Sequence, residues 1–255
     1  MDLRVQGTVP ADPFLSAVDL FETEYELGLP VEVHVRDDPD ERIWTAHYDD
    51  YHTLNISRQA ATSAMARELT LHELSHMARY EEEHPSHTQS TEEALYLALA
   101  GKSVERRKLT HCYQIANHMK DIYADDITLS LAPADKLLYF LESQLAAAVA
   151  GTPGSPPGPD FERISPASDP EITAVNAAFA LALLERHDLL PDDHRLYDLA
   201  HAAADDAPGV DLDEFRRRFR GLADDPTESD YRKALVDVTR AYAVETGTRP
   251  GQAAD

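Results

Sequence analysis

Apolar residues recur at helical spacing from Phe14 to Leu27 (Phe14, Leu15, Val18, Phe21, Tyr25), predicting an amphipathic helix ended by Gly28 and Pro30. The period then falls to two. Val31, Val33 and Val35 alternate with polar or charged residues, Asp37-Asp38-Pro39-Asp40 supplies a turn, and Ile43 to Tyr48 and His52 to Ile56 read as further strands across Asp49-Asp50. A small sheet of three antiparallel strands is expected. Residues 1–13, with two prolines and no clear period, read as an irregular lead-in.

From Ser57, a credible helix cap, to His84 no Gly or Pro intervenes, so the pattern predicts a long, largely buried helix with a break near Ala66. Ser90-Thr91-Glu92-Glu93 has the form of a capping box and opens a helix to about Leu109. Further helices are expected over His111 to Leu131 and Ala134 to Val149. The run from Gly151 to Pro159 holds four prolines and three glycines, which neither a helix nor a central strand tolerates. Beyond it, Ile172 to Glu185, Asp192 to Ala204, Leu212 to Leu222 and Ser229 to Glu245 read as helices. The expected fold is α+β: a small antiparallel sheet, a helical core, then an all-α C-terminal region. Its domains are a first over 1–150, a Pro/Gly-rich linker over 151–171, a helical second over 172–249 and a tail over 250–255.

Charge narrows the partners. The net charge is −24, from 27 Asp and 20 Glu against 18 Arg and 5 Lys, so phosphate backbones and anionic membrane surfaces are repelled and no nucleic acid or membrane partner is expected. No apolar tract is long enough to span a bilayer and nothing resembles a signal peptide, which predicts a soluble, cytoplasmic protein. Cys112 is the only cysteine, so no disulfide forms within the chain and no cysteine cluster competes for a metal. Acidity spread through the chain, with few lysines, resembles the composition of proteins from salt-loving archaea.

His72-Glu73-Leu74-Ser75-His76 carries the chemistry. Two histidines four apart leave one face of a helix a turn apart and can reach one metal ion, while Glu73 can hold and deprotonate a bound water without being a ligand. A zinc ion held by three protein groups keeps a fourth position open and lowers the pKa of its water to about 7, which is the chemistry of peptide-bond hydrolysis. In a chain with 12 histidines the pattern can arise by chance. Leu69, Leu71, Leu74, Met77 and Ala78 nevertheless surround it with apolar positions, and buried imidazoles and carboxylates need partners that a metal supplies.

For a third ligand the residues leave several candidates. Asn117, Asp121, Asp125 and Thr128 form a polar stripe on an otherwise apolar helix, and inward carboxylates there suit metal binding and the orientation of its histidines. Glu93, or Glu92, at the start of the preceding helix is the main rival, although a capping role explains it. His84, His87, His111 and His118 are weaker candidates, and Tyr80, Tyr96, Tyr123 and His118 could donate to a developing oxyanion.

The run His72 to His76, followed by Asp121-Ile-Tyr-Ala124-Asp125, resembles the gluzincin metallopeptidases related to HtpX and the CAAX prenyl proteases. That resemblance implies a zincin-like core, one Zn2+, Asp121 as third ligand and Asp125 as the carboxylate supporting a histidine. Asp121 stands where those enzymes have Glu, one methylene longer, and their membrane spans have no counterpart here. The thermolysin and aminopeptidase types would instead place the ligand near Glu93. The chain as a whole resembles a haloarchaeal family with no known activity. The expected function is a zinc-dependent peptidase acting on peptide or protein, with Glu73 as general base. The alternative is a catalytically silent zincin-like binding or regulatory module that docks a protein partner through its C-terminal helices.

Overall fold

The computed structural model describes residues 1–38, 43–151 and 169–245. Residues 152–168 of the expected linker, the tail 250–255, residues 246–249 and Pro39-Asp40 of the first turn lie outside them. The chain is α+β and forms two compact units: Met1–Thr88 with Lys120–Leu137, and Gln89–Met119 with the described residues from Leu138 onward. This grouping does not follow the expected boundary at 151–171.

In the first unit, β1 (Leu3–Gln6) leads into α1 (Asp12–Phe21), and β2 (Val31–Arg36), β3 (Ile43–His47) and β4 (His52–Ser57) complete a sheet of order β1-β2-β4-β3. Two expectations are corrected. The lead-in contains a strand, and the sheet is four-stranded and mixed: β1 and β4 both pair with β2 in parallel, and only β3 with β4 is antiparallel. β2 and β3 do not pair with each other; β3 turns back onto β4, which lies beside β2. All six residues of β4 are buried, as suits a strand flanked on both sides rather than one alternating toward water.

The helix expected over 14–27 is shorter, with Pro13 in its first turn and Phe14, Ala17, Val18 and Phe21 on its buried stripe. The break near Ala66 is real. Ser57 caps α2 (Arg58–Ala61), a turn follows, and α3 (Ala66–Glu81) carries the metal-type motif. Its Leu71, Leu74 and Met77 are fully buried against Phe14, Phe21, Val33, Leu54 and Ile56. Ile127 joins this core from α6 (Arg106–Leu131). Between α3 and α6 lie α4 (Pro85–Thr88) and α5 (Thr91–Leu99). The helix expected from Ser90 to about Leu109 is thus two elements, with Gly101 in the left-handed region after the first.

The second unit is helical. Its α8 (Pro170–Arg186) buries 12 residues from Ile172 to Leu184 and packs against α9 (Arg195–Asp205) and α10 (Leu212–Arg220). Helix α11 (Glu228–Arg240) packs against α5 and runs into a π-helical turn over Ala241–Glu245. Helix α7 (Asp135–Ala150) contributes its residues from Leu138 onward to this unit. No helix among the described residues is long and apolar enough to cross a membrane.

Candidate metal centre

Helix α3 presents His72 and His76 one turn apart, and the second half of α6 brings Asp121 and Asp125 against them. The Nε2 atoms of the two histidines are 3.0 Å apart, and Asp121 Oδ1 lies 3.3 Å from His76 Nε2 and 3.9 Å from His72 Nε2. Ligand atoms held tetrahedrally by zinc at about 2.0–2.1 Å are roughly 3.3 Å from one another, so this triangle has the right edge. The shorter Asp121 side chain therefore reaches.

The outer atoms of the rings are engaged. His72 Nδ1–H donates to Asp125 Oδ1 at 2.7 Å, and Asp125 is buried. His76 Nδ1 meets His87 Nε2 at 2.8 Å. A neutral imidazole carries one N–H, so with both Nδ1 atoms protonated the two Nε2 atoms and Asp121 Oδ1 are three acceptors converging on one point. Such a cluster requires a cation or a proton. Without a metal the proton takes this part: burial lowers the basicity of His72, but the charge and hydrogen bond of Asp125, with Asp121 and Glu73, outweigh it and push its pKa up to about 10.

Glu73 is buried beside this triangle. Burial raises its carboxyl above the usual carboxylate range, with His76 and His72 pulling it back, and the Thr45 side chain on β3 hydrogen-bonds it. Two residues along β3, on the same face as Thr45, His47 stacks on Tyr80 with ring centroids 4.0 Å apart. Its Nδ1 is 3.0 Å from that of buried His52, whose Nε2 is 3.0 Å from Glu81 Oε1. Burial, then the neighbouring His52, His76 and Lys120, lower the His47 pKa to about 4.

Glu92, Glu93, Tyr96, His111 and His118 belong to the second unit. There Gln89 Nε2 donates to Glu93 at 3.4 Å, and Arg232 lies 3.9 Å from it. Glu92 accepts from the Ser90 hydroxyl. His118 bonds Asn176 and stacks on Phe179, and Tyr96 is 74% exposed. His111 approaches Asp169 and Glu171, a second group with metal-type atoms, but the Arg107 guanidinium is paired to both carboxylates and the Tyr242 hydroxyl to His111 Nδ1. That cluster already holds its cation. The sequence singled out His87 only as a weaker ligand candidate, whereas here it hydrogen-bonds a ring of the motif, and it gave no signal for Thr45 or His47.

The chain is thus of α+β class, with a mixed sheet backed by a helix whose two histidines, together with a carboxylate from a distant helix, form a group that could hold a metal ion. By sequence the chain belongs to DUF5781, a family of unknown function, whose model matches residues 1–244. No curated protein and no solved structure matches it.

Proposed function

We propose that the protein is a zinc-dependent peptidase with its active centre at His72, Glu73, His76 and Asp121. The observation that carries the reading is the convergence of His72 Nε2, His76 Nε2 and Asp121 Oδ1 within 3.9 Å, each an acceptor, beside a buried carboxylate that none of them needs. Two imidazoles and one carboxylate form a set that zinc accepts in catalytic sites with an open position.

When bound there, zinc would acidify a water and polarise a substrate carbonyl. Glu73 would act as the general base, taking a proton from the attacking water and passing it to the leaving amine; its burial raises the proton affinity that this exchange needs. The Thr45 hydroxyl keeps the carboxylate aimed. Among the described residues β3 pairs only with β4, so its outer edge offers main-chain groups to an extended peptide alongside Glu73.

The test compares zinc content and cleavage of a mixed peptide pool for wild type, His72→Ala and Glu73→Gln, from low to molar salt. Wild type and Glu73→Gln should retain zinc, His72→Ala should lose it, and Glu73→Gln should cleave at least about 100-fold more slowly than wild type. Zinc retention with no cleavage by wild type at any salt would transfer the site to the silent-module reading. Equal absence of zinc from all three would remove both.

A further inference from the structure

The two histidines of the centre are supported differently. Behind His72 stands one carboxylate; behind His76 runs a chain of neutral groups, from His76 Nδ1 to His87 Nε2 at 2.8 Å, His87 Nδ1 to Ser86 Oγ at 2.8 Å, and Ser86 Oγ to His84 Nδ1 at 2.7 Å. The far end fixes its direction. The backbone N–H of Ser86 also points at His84 Nδ1, at 3.2 Å, and a main-chain amide can only donate. His84 Nδ1 is therefore an acceptor, and the Ser86 hydroxyl spends its single hydrogen on it. Ser86 Oγ must then accept from His87 Nδ1–H, which leaves Nε2 of the neutral His87 ring as a lone pair, and His76 must donate through Nδ1–H.

We propose that His87 is a positioning residue for the metal centre: with Ser86 and His84 it forms a one-way hydrogen-bond chain that locks His76 as the Nδ1–H tautomer, its Nε2 lone pair turned toward His72 and Asp121. The inference rests on the reading of that triangle as a metal site. The chain is rigid where it matters. Ser86 is fully buried, His84 is nearly so, and the His84 ring lies 4.6 Å from that of Tyr123. A supporting group of this kind sets ring orientation and ligand basicity, and its loss typically weakens metal binding about 10–100-fold.

The experiment measures zinc affinity by competition with a chromophoric chelator for wild type, His87→Leu, His87→Gln and His72→Ala, with circular dichroism to verify folding. The amide oxygen of Gln can stand where His87 Nε2 stood, whereas Leu fills the space without an acceptor. Affinity should fall about 10–100-fold in His87→Leu and return to within a few-fold of wild type in His87→Gln. Wild-type affinity in His87→Leu would overturn the proposal while leaving the metal site intact. Failure of wild type to bind more tightly than His72→Ala would overturn the metal site and the proposal with it. Should His87→Leu not fold, long-range nitrogen–proton NMR spectra of the zinc-loaded wild type decide the matter. Protonated Nδ1 on both His76 and His87 supports the chain, and a protonated His87 Nε2 overturns it.

Discussion

At the residue scale, a proton and the proposed metal compete for the same nitrogen of His72, and the Asp125 carboxylate behind the ring favours either one. In the metal-free protein its pKa is raised from 6.5 to about 10, so the His72–Asp125 pair contributes stability that is fully present below about 6.5 and is lost as pH rises through about 10. Metal binding must expel this proton. Zinc affinity should therefore fall about tenfold for each unit that pH drops below the raised value, and titrations against a chelator from pH 9 to 6 measure the slope. A flat profile would mean that His72 is not protonated when free. Asp125→Asn should flatten it, and should also weaken binding at pH 7 through loss of the charged acceptor. His72, Glu73 and His76 were legible because one helix fixes their spacing, and Asp121 and Asp125 because i,i+4 acids on an apolar helix are conspicuous. His87 in its supporting role and Thr45 were not. They come from a short helix after the motif and from a strand, and only tertiary packing brings them to the centre.

At the element scale, the end of α3 is tied to the sheet through Glu81. Its carboxylate accepts from the backbone N–H groups of Gly28 at 2.6 Å and Leu29 at 3.0 Å, and meets His52 on β4 at 3.0 Å. One side chain thus fixes the approach of α3 to the turn before β2 and to the buried middle of the sheet. Glu81→Ala removes the acceptor from three donors, each costing about 1–3 kcal/mol if left unmatched and less where water reaches it. A loss of about 2–4 kcal/mol is expected from denaturant unfolding of the metal-free protein. Leu74→Ala, which empties a fully buried site on the same helix, should cost about 2–5 kcal/mol by the same measurement. Helix starts were read to within a residue where a cap marked them, as at Ser57 and Ser90. Strand orientation was not legible, because an alternating pattern states which face is buried and says nothing of which neighbour pairs or in which direction. The β1 strand escaped because four residues beside a glycine and a proline give too short a pattern to count.

At the scale of the whole molecule, the division of the chain was the feature least accessible from sequence. A Pro/Gly run is a visible boundary, but α6 gives its residues up to Met119 to one unit and those from Lys120 to the other, with no break in composition to mark the change. Charge acts over the entire chain. With 47 acidic against 23 basic residues, ion pairs such as Arg107 with Asp169 and Lys136 with Glu68 can match only about half of the carboxylates, and the surplus repels itself in the folded state more than in the expanded one. Salt shortens the reach of that repulsion from about 10 Å at 0.1 M to about 3 Å at 1 M. The thermal midpoint should therefore rise as KCl is increased from 0.1 to 1 M, with most of the gain before 1 M because screening is by then nearly complete. NaCl should act like KCl. A midpoint that does not move, or falls, would show that the surplus carboxylates are too far apart to matter. A midpoint still climbing steeply at 3 M would point to ion exclusion from the surface instead of screening, since the Debye length has little left to lose there.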